Sequence, residues 1–262
     1  MHTSIQKRLL AAVFGLSLAV SGSGQTPLRV AAAADLEPVL PPILAQFEQA
    51  TGILAEATFQ ASAVLTTQIQ NGAPFDVFLS ADLGYPKRLI DAGLADAAGT
   101  ADSSTPIVYA RGTLVLWARK DSHLAAPSLD LLHNPDLKRL AVANPDRAPY
   151  GRAAAAALTS LKLYNTLKPR LVTAENISQA AQFADSGNAD AGLISMTSAL
   201  TPPLAADGAY FVIPRDLYPP IEQGAVIVGR TTRRAQAHKL LDYLLSAPVQ
   251  AQLAKSGLTP VH

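Results

Sequence analysis

Short apolar runs alternate with helically spaced segments along most of this chain, and no other feature restricts its fold as much. Residues 28–32 form an apolar run, and residues 36–50 follow with helical spacing. Residues 53–59 read as a second strand and residues 62–71 as a helix stopped at Gly72. Residues 76–80 read as a buried strand and residues 84–92 as a helix stopped at Gly93. This order needs crossover connections, which predict a mostly parallel sheet covered by helices.

The rhythm then restarts. Residues 113–118 (TLVLWA) predict a strong strand, followed by a polar loop over 120–128. Strands are expected over 140–143 and 191–194, and helices over 151–161 and 178–187. Residues 225–228 read as another strand. Residues 233–245 and 249–256 read as amphipathic helices punctuated by Pro248 and Gly257. No repeat or low-complexity tract interrupts this order. Two sets of similar size predict two α/β lobes, and 262 residues with 49% apolar content can supply a core for each.

Charge narrows the function. Charged residues are 16% of the chain and the formal net charge is +1. A nucleic-acid surface needs a basic face, so nucleic acid is not an expected partner. Overall charge would not attract an anion either. Residues 1–24 read as an export signal: Lys7 and Arg8 precede an apolar run over 9–20, and small residues follow at 21–24. That run is short for a membrane span. Its removal would leave the mature chain near −1. The chain has no cysteine, which excludes disulfides, thiolate metal sites, cysteine nucleophiles and a lipid-anchored export signal.

Enzyme signatures are scarce. The five histidines (His2, His123, His133, His238 and His262) form no metal-binding pair. There is no G-x-S-x-G elbow, no P-loop, and no G-x-G-x-x-G after a strand. No catalytic residue, resident cofactor or cationic metal ligand is expected. A secreted hydrolase using Ser62 or Ser195 is the rival of a different class, but no base pairs with either serine in sequence.

Four strand-to-helix junctions carry the functional signal: Ala34-Asp35, Ala61-Ser62, Pro149-Tyr150-Gly151 and Asn176-Ile177-Ser178. A helix start leaves N–H groups unpaired and carries about half a positive charge. In open α/β sheets such junctions lie at the strand C-terminal ends, where ligands bind. Several aimed at one point can hold an anion without lysine or arginine. Each has an ordinary explanation too: Asp35 and Ser62 as helix caps, Tyr150-Gly151 as a turn, Ile177 as core. Arg152, just inside its helix, reads as an outward-facing surface residue. A site built this way contains no group that titrates between pH 6 and 9, so affinity is expected to be flat there.

Several segments together resemble the periplasmic molybdate-binding proteins of ABC importers, over nearly all of residues 28–260. They are AAAADL (31–36), NGAPFDVFLSAD (71–82), GTLVLWARK (112–120), NPDRAPYG (144–151) and ADAGLIS (189–195). The resemblance implies the class II periplasmic binding protein fold. Two lobes, 25–111 plus 222–262 and 112–221, would be joined by crossings at 113–118 and 225–228. It implies molybdate or tungstate as ligand, with sulfate or a phosphonate as the alternative. The partner would be an ABC permease of the inner membrane, served by a monomeric, unanchored receptor in the periplasm. Carried over by motif, the oxyanion contacts are Ala34, Asp35 and Ser62 on one lobe, with Tyr150, Ile177 and Ser195 on the other. Many family members have a serine or threonine where Ala34 stands, and a tyrosine near Ser195. One hydrogen bond of the usual set is therefore expected to be missing.

Overall fold

The computed structural model describes residues 26–97, 104–124 and 126–261. The export signal expected over 1–24 lies outside them. The chain forms two sheets, each flanked by helices. The first contains β1 (Leu28–Ala33), β2 (Ala55–Gln60), β3 (Val77–Ser80), β4 (Ala95–Asp96), β5 (Ile107–Gly112) and β11 (Ile221–Val228). Its order is β2-β1-β3-β11-β4, with β5 also paired to β11. The second contains β6 (Leu114–Arg119), β7 (Leu140–Ala143), β8 (Leu171–Ala174), β9 (Ala191–Ser195) and β10 (Gly208–Val212), in the order β10-β6-β9-β7-β8. Helices α1 (Leu40–Thr51), α2 (Ser62–Gln70) and α3 (Gly84–Asp91) belong to the first part, with α9 (Arg234–Leu244) and α10 (Ala247–Lys255). Helices α4 (Pro149–Ser160), α5 (Tyr164–Leu167), α6 (Ile177–Asp185), α7 (Met196–Ala199) and α8 (Pro202–Asp207) belong to the second.

The two-lobed α/β class holds, but "mostly parallel" does not. Four strand pairings are parallel and five antiparallel. The parallel ones surround β1 and β7, where helical crossovers connect the strands. The antiparallel ones come from β11 inserting beside β3, β4 and β5, and from β6 lying between β9 and β10. Strands β4, β5, β8 and β10 are not expected from the sequence. Each is partly exposed, and β4 has only two residues, so their apolar patterns are weak.

The chain passes between sheets at Thr113, between β5 and β6, and returns through residues 213–220 before β11. Residues 225–228 therefore lie inside the first sheet, paired with β3 and β4; the second crossing is the irregular segment before β11. Gly112 sits at the first crossing because a Cβ there would lie 2.8 Å from the Tyr150 ring carbon Cζ.

Helix α1 begins at Leu40, later than the spacing from residue 36 predicts. Prolines 41 and 42 occupy its first turn, where a missing N–H costs nothing, and residues 34–36 form a separate 3-10 turn. One face of α1 buries Leu40, Ile43, Leu44 and Phe47 against Leu28, Val30 and Leu79. The second lobe packs Trp117, Leu140, Leu158 and Leu193 around its sheet. That core also takes in Ala33, Ala34, Ala61 and Ala81 from the first lobe. Small residues at these strand ends let the lobes meet closely.

Candidate functional site

All four junctions line one small interlobe cavity. Ala33, Ala34, Asp35, Ala61 and Ser62 come from the first lobe; Ala148, Pro149, Tyr150, Asn176 and Ile177 come from the second. No lysine, arginine or histidine lines it. Three of the junctions open α2, α4 and α6, whose first-turn N–H groups have no partner within the helix. Asn176 caps α6 by accepting the Gln179 N–H at 2.9 Å. Gly151 lets α4 start hard against β7, since a Cβ would sit 2.7 Å from the Asn144 carbonyl carbon.

Ser62 is buried, and no side-chain cap bond is formed at the start of α2. Its Oγ accepts the Ala81 N–H at 3.2 Å. With that lone pair engaged, the hydroxyl hydrogen is available to another acceptor, the arrangement needed to donate to an anion. Ala34 offers no hydroxyl, and its carbonyl accepts the Ser178 hydroxyl at 2.8 Å. Tyr150 and Ile177 are both buried on the cavity wall. Ser195 does not reach the cavity lining. Its Oγ caps α7 by accepting the Ser198 N–H, and lies 2.9 Å from both the Thr197 and the Ser198 hydroxyls. The Thr197 hydroxyl instead reaches across to the Asp35 carbonyl at 2.7 Å. Among the described residues neither Ser62 nor Ser195 is bonded to a histidine, lysine or carboxylate.

Asp35 does not cap α1. It lies in the 3-10 turn and is fully buried. Its Oδ2 accepts the Tyr150 hydroxyl at 3.2 Å and the Gln223 side-chain amide. Oδ1 is buried without a partner, as is Gln223 Oε1. Burial raises the carboxyl to about 7, with the Gln223 and Tyr150 bonds pulling the other way. A titrating group therefore stands on the cavity wall, contrary to the expectation of a site without one. Sequence reasoning missed Gln223 and Thr197 because nothing local marks them. They become legible only when β11 and α7 are brought beside the first junction.

Arg152 is exposed and lies off the cavity lining, but its side chain is not free in solvent. Its side chain reaches into the other lobe, forming an ion pair with Asp82 and a 3.3 Å bond to the Tyr85 hydroxyl. The guanidinium also lies 5.3 Å from the Tyr85 ring centroid. Tyr85 in turn donates to the Asp146 carbonyl at 3.3 Å, and the Ala63 N–H donates to the Arg147 carbonyl at 3.1 Å. The lobes are thus hydrogen-bonded to each other around the cavity, in a closed arrangement.

Residues 28–259 match the model of the family described as bacterial extracellular solute-binding protein. The chain belongs to this solute-binding family. Similar relatives include the molybdate-binding protein ModA of Rhodobacter capsulatus, 35% identical over 95% of this chain and 93% of that one. ModA of Azotobacter vinelandii is 36% identical over 90% of each chain. The solved periplasmic molybdate-binding protein of Azotobacter vinelandii superposes with a TM-score of 0.82 at 30% identity, covering 90% of this chain and 100% of that one. The solute-binding architecture, with a cleft between two α/β lobes, accounts for where the cavity lies.

Proposed function

We propose that this solute-binding protein captures molybdate or tungstate between its lobes and presents it to an ABC permease of the inner membrane. The reading is carried by the cavity: four strand-to-helix junctions converge on it, three of them opening helices, and no cationic side chain lines it. The names of the relatives support the choice of anion. The proposed contacts are backbone N–H groups at Ala34, Asp35, Tyr150 and Ile177, with the Ser62 hydroxyl. Ser195 acts indirectly, by holding Thr197 against the Asp35 carbonyl.

On this reading the protein is a monomeric receptor without enzymatic activity or resident cofactor. Cleavage after the signal at 1–24 frees it in the periplasm without a lipid anchor. The lobes, 25–111 plus 222–262 and 112–221, close as units about Thr113 and the segment before β11.

A rigid ring of donors fits one oxygen-to-oxygen span. A smaller tetrahedral anion such as sulfate leaves some buried donors unpaired, at about 1–3 kcal/mol each. Calorimetry with an oxyanion panel on the mature protein tests this. Molybdate and tungstate should outcompete sulfate by at least ~100-fold, which two such losses supply. Equal affinity for all three would remove the assignment and leave a generic oxyanion receptor.

A further inference from the structure

A carboxyl group is the last thing an anion cavity lined by helix starts requires, yet Asp35 stands on its wall. It is completely buried, and its two oxygens are treated unequally. Oδ2 takes the bonds from Tyr150 of the second lobe and from Gln223 of β11. Oδ1 has no partner. The titratable groups facing it are Tyr109 of β5 and Tyr150 of α4, with Tyr218 behind Tyr150. Burial first, and Asp35 second, push both Tyr109 and Tyr150 well above the ordinary phenol range, so they stay neutral. No lysine, arginine or histidine bonds Asp35 or contributes to its shift.

An ionised Asp35 would therefore leave a bare carboxylate oxygen buried without a counter-charge, beside a cavity about to receive a dianion. Like charges in a shared site favour protonation of the group that can accept a proton. A neutral Asp35 avoids the repulsion.

We propose that Asp35 is the proton-carrying, specificity-determining residue of this site: closure on a fully deprotonated dianion transfers about one proton from solvent to the Asp35 carboxyl. The inference rests on the oxyanion reading above. It names the preferred ligand state as a dianion that brings no proton of its own. A hydrogen oxyanion such as hydrogen phosphate, which donates its own proton, would need Asp35 ionised instead.

The test is calorimetric titration of molybdate into the mature protein, in buffers of different ionisation enthalpy, at pH 6 and pH 8. Close to one proton should be taken up at pH 8 and fewer at pH 6. Affinity should fall by up to tenfold per pH unit between 7 and 9, the limit for one linked proton. In Asp35→Asn, uptake should vanish and the affinity should become independent of pH. An infrared difference spectrum of the wild-type protein at pH 8 should gain a protonated-carboxyl band on binding, which needs no variant to fold. Tight molybdate binding with no proton uptake, or the same uptake in Asp35→Asn, would overturn the proposal while sparing the oxyanion reading. No molybdate binding at either pH would remove that reading and this inference with it.

Discussion

Two polar seams join the lobes, and they differ in how much water reaches them. The inner seam links Asp35, Tyr150 and Gln223, all buried. The outer seam links Arg152, Asp82 and Tyr85, with the Arg152 side chain 44% exposed. Both are hydrogen-bonded chains that cross from one lobe to the other. In the inner one each polar atom has lost its water, so a missing partner or a stray charge is costly. In the outer one the guanidinium is open to water, which competes for its contacts and replaces part of what is lost. Closure should therefore be governed by the inner seam, and substitutions can separate the two.

The largest expected effect is on the pH dependence of stability. The Asp35 carboxyl is raised from 3.8 to about 7 in the folded protein. Below pH ~4 it is protonated in both folded and unfolded states and costs nothing. As pH rises from ~4 to ~7 the unfolded chain releases this proton while the folded protein retains it. Stability should then fall by about 4 kcal/mol and level off above ~7. Denaturant unfolding of unliganded wild type and Asp35→Asn across this range isolates the contribution. Parallel curves for the two proteins would show that Asp35 is ionised when folded, and would erase the contrast between the seams.

Next in size is Gly112→Ala. Its Cβ would press on the Tyr150 hydroxyl and ring, close to Ile221. Overpacking of this kind costs about 1–3 kcal/mol, and displacing the hydroxyl from Asp35 costs a comparable amount. Because both penalties run through one hydroxyl, Tyr150→Phe combined with Gly112→Ala should cost less than the sum of the singles. Additive losses in a molybdate-affinity cycle would mean that the glycine serves the crossing alone.

Ser62→Ala probes the cavity directly. The lost donor to a charged ligand should weaken molybdate binding by about 1.5–3 kcal/mol. Stability should fall by about 1–3 kcal/mol, since the buried Ala81 N–H loses its acceptor although no cap bond is lost. Unchanged affinity with that loss of stability would assign Ser62 to the Ala81 contact only.

The residues that carry these effects were unequally legible in the sequence. Tyr150 and Ile177 could be placed at helix starts because such a start announces itself locally, through proline, glycine or asparagine at the right place. Ser62 was found the same way, although its cap role was not realised. Asp35 was placed on the site but misread as a cap, because α1 starts four residues later than its spacing suggested, at the proline pair. Gln223 lies 188 residues from Asp35 and Thr197 lies 162 away. No periodicity or motif connects residues at such separation; the fold must first bring β11 and α7 beside the 3-10 turn that follows β1. The lobes followed from the strand–helix rhythm. The antiparallel insertion of β11 did not, because it is a property of where the chain returns.

Arg152 gives the smallest expected effect and the sharpest comparison. It stays off the cavity lining, as the sequence predicts, but its side chain crosses between the lobes to Asp82. Asp82 is held ready for it, its Oδ1 accepting the Tyr85 N–H at 3.0 Å and the Ser80 hydroxyl at 3.1 Å. The pair thus has defined geometry, yet its guanidinium remains nearly half exposed. Exposed pairs contribute about 0–1 kcal/mol because ordering two side chains offsets most of a screened attraction. The Tyr85 contact can add about 0.5–1 kcal/mol at an exposed site, but water recovers part of that when the arginine is removed. Arg152→Ala should therefore weaken molybdate binding by less than about 1 kcal/mol, or about fivefold, chiefly through faster release. The difference should shrink at high salt, where exposed charges are screened over a few ångströms. Stopped-flow release rates at low and high salt, for wild type and variant, measure both quantities. A loss of tenfold or more that persists in high salt would place Arg152 in the same class as the buried seam, and the division of the interlobe contacts by water would not stand.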